Sequence, residues 1–412
     1  MHIAIIGGGL TGIAAGYKLS PDHQVTVYEK TEDIGGLLSY YRWNGYSVER
    51  FYHHFFSGDD TLLSLLYELH LADNVVWLKG STGTFKDGRI YPLTTPGEIL
   101  RYPYLSLYEK TRLALFTLRA KKYGLSSLDA ISAEEFIIRH LGREIYDTFF
   151  QPLLRSKFGL NAGKVSAAWL VSRVAIRSDR GASGERLGYL KGGFSILLKG
   201  LSRAITARGG DIRLRTPLCQ LARDGSSWRV NGEIYDQVIA TIAPEGLREA
   251  GVDTGELPYQ GAACLTLALR RQVTNGIYWI NMYDDAPYGA VIGHTCLVPE
   301  EWYGEHLVYL ASYFTGDPAS NLQELMIHDF SRKFSVHPDE IIRAEMSCSR
   351  YAGPLYLTGY REMMDKVHVP CLFMAGMFSP ENYPERSIEG SIRAGFRVAE
   401  ELVRSCGNGA VL

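Results

Sequence analysis

The sequence predicts an α/β fold of Rossmann type joined to a second domain that mixes antiparallel sheet with helices. Three observations carry that expectation. The chain opens on HIAIIGGGLTGIAAGYKL followed by QVTVYEK, which reads as strand, glycine turn, helix and second strand. Beyond residue 259, ACLTLALRR, GIYWINMY, GAVIGHTC and HLVYLASYF read as successive antiparallel strands rich in aromatic residues. At 412 residues the chain is also too long for one ordinary core and suggests two to three domains' worth of polypeptide.

Composition narrows the function classes. Hydrophobic residues make up 46% and charged residues 21%, the balance of a globular protein. A net charge of -2 and a pI near 6.6 give no basic field, so nucleic acid is not expected as a partner. The six cysteines, Cys219, Cys264, Cys296, Cys348, Cys371 and Cys406, form no CxxC or zinc-like spacing, which points to a reduced, metal-free cytoplasmic protein. No secretory leader precedes the first strand, and no apolar run approaches the roughly 18 residues that a membrane span needs.

At the N-terminus each glycine has a physical task. Gly7 permits the tight turn, Gly9 lets backbone approach a pyrophosphate, and Gly12 lets the helix pack close to the strand. The helix N-terminus then presents its partial positive charge to phosphate. Glu29 follows Gly7 by 22 residues (29 minus 7), the distance at which an acidic side chain reaches a ribose and disfavours a 2′-phosphate. This spacing alone does not separate NAD from FAD.

A second glycine pair, Gly35-Gly36, comes shortly after Glu29. With it, GGGLTGIAAGYKL…VTVYEK…IGG resembles the N-terminal fingerprint of the FAD-containing amine oxidase and protoporphyrinogen oxidase superfamily. The resemblance implies FAD, with Leu10, Thr11, Lys30 and Leu37 beside the dinucleotide along with the glycines and Glu29; where the family often has arginine, this chain has Leu37. Two distant segments extend the likeness. YLKGGFSILLKGLSRAITARGGDIRLRTPLCQL implies a helix opened by Gly192-Gly193 and a strand leading to Leu218 near the adenine, and DQVIATIAP implies a strand with its cofactor-side turn at Ala240 to Pro244. LFMAGMFSPENYPERSIEGSIRAGFRVAEEL resembles the C-terminal flavin segment, with Gly376 after a strand and Gly390-Ser391 opening the last helix. Independently, Ile388, Ile392, Phe396, Ala399 and Val403 recur there at helical spacing while small residues mark its first turn. A helix N-terminus aimed at an isoalloxazine would stabilise the negative charge of hydride transfer.

These segments make both domains discontinuous: residues 1–50, 187–258 and 365–412 for FAD, and 51–186 and 259–364 for substrate. The first insertion begins with a hairpin, TGTFKDGRIYPL, turning at Asp87-Gly88, and becomes helical, with Ser132 and Glu135 in capping-box spacing. In the second, Trp279, His294 and Tyr313 are candidates for the substrate lining, as is Arg386 before the last helix. His53 and His54, expected between a strand end and a helix capped by Asp59 or Asp60, are the candidate general bases. Arg173, Arg177, Arg180, Arg186 and Lys191 surround a glycine- and serine-containing loop, as a solvated basic loop or a receiver for an anionic substrate. Arg112, Arg119, Lys121 and Lys122 stand in LALFTLRAKKYG, whose apolar face either packs inside the domain or rests on an anionic membrane surface.

The resemblance implies hydride abstraction from a C–H or C–N centre of a small molecule. Amine oxidases place an aromatic residue near the start of the last helix; Ser387 stands at that position, which argues against a simple amine, with Tyr383 as a partial replacement. YHHFFSGDD loosely resembles the corresponding loop of UDP-galactopyranose mutase, which gives a second expectation: an isomerase using reduced FAD without net redox. A flavoprotein serving as a redox-responsive scaffold is the third.

Overall fold

A computed structural model describes residues 1–177 and 185–407. His2–Ile6 lies at the centre of a five-stranded parallel sheet. Its order is Phe373–Met374, Gln237–Ala240, His2–Ile6, Gln24–Tyr28 and Asp211–Arg213. The apolar run of the first strand has no alternation because both faces are covered, as parallel sheets require. Helix Leu10–Leu19 follows, and the long last helix Ile388–Gly407 packs against it so closely that a Cβ on Gly395 would lie 2.4 Å from the Thr11 carbonyl oxygen.

The second layer is a seven-stranded sheet. Its order is Ile341–Pro354, Tyr259–Leu269, His306–Phe314, Ala290–Gly293, Trp279–Met282, Thr82–Lys86 and Arg89–Pro92. The four strands expected after residue 259 are all present, but the joint between Trp279–Met282 and Thr82–Lys86 is parallel, so the sheet is mixed. Asp87 and Gly88 both hold positive φ (50° and 72°), the geometry of a two-residue hairpin turn. Helix Leu322–Lys333 covers one face through Met326 and Phe330.

Between residues 96 and 177 the chain is helical around Phe116, Phe136, Phe150, Phe158 and Trp169. Ser132 Oγ caps helix Ala133–Leu141 by accepting from the Glu135 N–H at 3.1 Å. Helix Leu107–Arg119 turns Leu113 and Phe116 inward, while Leu107 stands exposed at its start and Leu118 at its end, next to Arg119. Strand Glu185–Leu190 pairs antiparallel with Val75–Gly80 and ties this region to the dinucleotide side. Among the described residues no helix is long and apolar enough to cross a membrane, and no group of three or more His, Cys, Asp or Glu is placed to hold a metal.

Candidate functional site

The N-terminal glycines build a cradle. Gly7 turns at φ +108°, and a Cβ on Gly12 would lie 2.0 Å from the Gly7 carbonyl oxygen, so only glycine lets the helix seat here. A Cβ on Gly9, by contrast, would meet nothing within 4 Å. Gly36 crosses this open point, its own Cβ position 3.3 Å from the Gly9 Cα, and the Gly35 N–H donates to the Gly8 carbonyl at 2.7 Å. The first helix carries no side-chain cap, which leaves its N–H groups for a phosphate. Glu29 lies behind them, its carboxylate accepting from the Gly8 N–H at 2.9 Å and from the Thr31 N–H and hydroxyl.

From this cradle a cavity of about 1310 Å³ extends to the seven-stranded sheet, above the roughly 300–1,000 Å³ typical of a drug-sized pocket and able to hold a dinucleotide with a substrate. Leu10, Thr11, Lys30, Leu37 and Leu218 line its near end with Gly7, Gly9, Glu29, Gly35 and Gly36. Gly376, Ile388 and Ser391 line it as well. Three expected contacts lie off it, Gly12 among them because it packs on the Gly7 carbonyl and Thr241. Ala240 is fully buried inside the parallel sheet, and the cavity is lined by the next residues, Thr241 to Ala243, where the strand has ended. Gly390 faces Asn382, whose Oδ1 would be 2.3 Å from a Cβ there, so it serves packing.

Asn382 itself carries no sequence signal of a functional role. Buried, it donates to the Gly376 carbonyl at 3.0 Å and accepts from the Ser387 N–H at 3.0 Å, joining the turn after the last strand to the start of the last helix. Glu389, in that helix's first turn, reaches out and accepts from the Thr61 and Leu62 N–H groups. It caps helix Asp60–Glu68 in place of the expected aspartates: Asp59 instead accepts from the Phe56 N–H at 2.9 Å. Burial pushes Asp59 up to about 6.

Both histidines line the cavity, on irregular chain beyond a strand that already ends at Glu49. His53 Nδ1 lies 2.7 Å from the Phe51 carbonyl oxygen, which can only accept, so Nδ1 carries the hydrogen and Nε2 keeps a lone pair. Burial pulls His53 down to about 4, so the ring is neutral at pH 7. His54 Nδ1 pairs with the Tyr278 hydroxyl at 2.9 Å.

Of the substrate candidates, Trp279, Tyr313 and Arg386 line the cavity. Trp279 Nε1 donates to Asn281 at 2.9 Å, and the Tyr313 hydroxyl is bonded to that of Tyr52. His294 is not on the lining. It is 1% exposed, pairs with the Tyr303 hydroxyl at 2.9 Å, and burial pulls it down to about 3. Tyr383 turns away to donate to Asp129 and stack on Tyr360, so it replaces no missing ring. The side chain of Arg177 and the whole of Arg180 lie outside the described residues. Arg173 reaches the cavity, whereas Arg186 and Lys191 are exposed and do not line it. Lys157, Trp169 and Glu385 complete that wall without any local motif to announce them.

The geometry agrees with what the chain resembles. Residues 10–403 match the family model of flavin containing amine oxidoreductases. A coproporphyrinogen III oxidase of Staphylococcus aureus is 23% identical over 280 residues, 58% of this chain and 60% of that protein, so the chain spans about three fifths of this curated relative. Among solved structures, a putative protoporphyrinogen oxidase from Exiguobacterium sp. 255-15 superimposes with a TM-score of 0.77 at 20% identity, covering 97% of this chain and 98% of the other. Reduced UDP-galactopyranose mutase gives 0.75 at 16% identity, covering 98% and 95%. The shared fold is the Rossmann-type α/β architecture of FAD enzymes, and FAD is the cofactor that the glycine cradle, Glu29 and the cavity fit.

Proposed function

The chain belongs to the flavin containing amine oxidoreductases, and from that premise we propose that it removes a hydride from a C–H or C–N centre of a small molecule. Residues 1–50, 187–258 and 365–412 are assigned to holding the cofactor, and 51–186 with 259–364 to holding the substrate. Bound FAD supplies the two-electron acceptor. The observation that carries the reading is the continuity of the cavity, from the Gly9 cradle to a wall of Trp279, Asn281 and Tyr313.

The protein's part is positioning and electrostatics. The last helix brings Ile388 and Ser391 of its first turn to the cavity, where the positive end of the helix dipole favours negative charge. His53, neutral on the cavity wall with its Nδ1 hydrogen committed to Phe51, accepts a hydrogen bond from substrate at Nε2, and His54 is held by Tyr278 beside it. A simple amine is disfavoured, because Ser387 offers no ring and Tyr383 is committed to Asp129. The test is an anaerobic screen of porphyrinogens, polyenes, amines and nucleotide sugars, in which a substrate bleaches the visible flavin band. Product formation only after pre-reduction, with no net electron consumption, would instead establish the mutase-like reading, which the superposition over nearly the whole chain favours as second.

A further inference from the structure

One wall of the cavity carries an excess of positive charge. Lys157 projects from helix Gln151–Phe158, Arg173 from helix Ala167–Arg177, and Arg386 from the segment that opens the last helix. One carboxylate, Glu385, stands among them. Lys157 Nζ lies 3.0 Å from Glu385 Oε2 and 4.7 Å above the Trp169 ring, and Trp169 Nε1 donates to the same oxygen. Arg386 is 3.8 Å from the other oxygen, Oε1. Side-chain exposure is only 20% for Lys157, 21% for Arg386 and 12% for Glu385, so bulk water screens the group poorly.

Three cations share one anion, and both oxygens of that anion are already engaged. Burial tends to raise Glu385, yet Lys157, Arg173 and Arg386 together hold it down to about 2. Burial pulls Lys157 down to about 8, assisted by Arg173 and Arg386 and opposed by Glu385. Partly buried cations in excess are unfavourable unless a counter-charge joins them. Glu385 is therefore a positioning residue, fixing Lys157 and Arg386 while leaving roughly two positive charges facing the cavity.

Resting on the reading of this cavity as a flavin substrate site, we propose that Lys157, Arg173 and Arg386 bind an anionic group of the substrate, a carboxylate or a phosphate. Arginine's planar fork suits both groups bidentately, and Lys157 adds a point charge. The FAD pyrophosphate has its own receptor at Gly9 and the first helix, built from other segments.

The probe set is benzoate, phenyl phosphate and uncharged benzamide, titrated into the FAD-loaded protein and followed by the visible flavin band and by tryptophan fluorescence. Both anions are expected to bind at least tenfold more tightly than benzamide, and the preference between them identifies the group. Arg173→Gln and Lys157→Met are each expected to weaken the anions about tenfold with the flavin-to-protein ratio unchanged. Benzamide binding as tightly as benzoate, or Arg173→Gln leaving anion affinity intact, overturns the proposal. Loss of FAD from Arg173→Gln also overturns it, by placing the cluster on the cofactor. If wild-type protein holds no flavin, the flavin reading fails by itself, and the fluorescence titration still decides whether the wall binds anions.

Discussion

Gly9 and Gly12 stand three residues apart and are expected to fail in opposite ways when substituted. At Gly9 the backbone is extended, with φ -67° and ψ 172°, and a Cβ enters open cavity, so Gly9→Leu leaves the apo fold unstrained. At Gly12 a Cβ would lie 2.0 Å from the Gly7 carbonyl oxygen and 2.7 Å from the Thr241 hydroxyl, so Gly12→Ala must move backbone. Overpacking of that kind costs about 1–3 kcal/mol or more. With unfolding entropy near 2.1 cal/mol/K per residue, a cooperative unit of 412 residues loses roughly 1 °C of Tm per kcal/mol, so Gly12→Ala should melt about 1–3 °C lower as apoprotein. In wild type, FAD at a hundredfold excess over its Kd should add about 2.7 kcal/mol, or roughly 3 °C. Gly9→Leu should abolish that increment while keeping the apo Tm of wild type. Thermal melts with and without FAD, beside the flavin-to-protein absorbance ratio, measure both quantities. Stoichiometric flavin in Gly9→Leu, or an apo Tm as low as that of Gly12→Ala, would refute the assignment of the open side of the cradle to the dinucleotide.

Further outcomes follow from the same contacts. Burial pulls His53 and His294 down to about 4 and 3 in the fold against about 6.5 unfolded, so the unfolded chain binds protons first; the contribution of these two rings to stability should be constant above pH 6.5 and fall progressively toward pH 3, with a limiting slope of about 1.36 kcal/mol per pH step of one for each ring. His294→Gln should flatten the fall of Tm between pH 6.5 and 4, and an unchanged slope would exclude His294 as a titrating group. Glu389→Ala should cost about 1–2 kcal/mol by uncapping helix Asp60–Glu68 while leaving flavin content intact; chemical denaturation reads the first and absorbance the second. Glu385→Gln strands Lys157 and should destabilise by about 3–5 kcal/mol, with the Lys157→Met/Glu385→Gln double variant recovering part of the loss; a double variant less stable than Glu385→Gln alone would contradict the pairing.

What is legible in the sequence is local. Gly7, Gly9 and Gly12 act within one turn, and Asp87-Gly88 sets its hairpin through two backbone angles, so spacing alone announces them. Aromatic alternation locates the strands from Tyr259 to Phe314 but not the parallel joint to Thr82–Lys86, which pairs segments nearly two hundred residues apart. Strand Ile341–Pro354 escapes such a reading because Arg343, Glu345 and Arg350 interrupt its apolar pattern at a sheet edge, where solvent tolerates them. The Lys157–Glu385 pair spans 228 residues and the Tyr52–Tyr313 pair 261, distances at which no motif operates. His294 lies off the cavity because the strand has already ended at Gly293: it opens a short 3-10 turn, His294–Cys296, and packs among Tyr189, Tyr303 and Tyr309.

The central claim is that substrate oxidation and flavin reduction are one event in this cavity. An anaerobic single turnover, mixing FAD-loaded protein with a substrate found by the screen and counting product against bleached flavin, tests it most directly. One product molecule is expected for each flavin reduced. Product accumulating while the flavin band stays unchanged would contradict the claim.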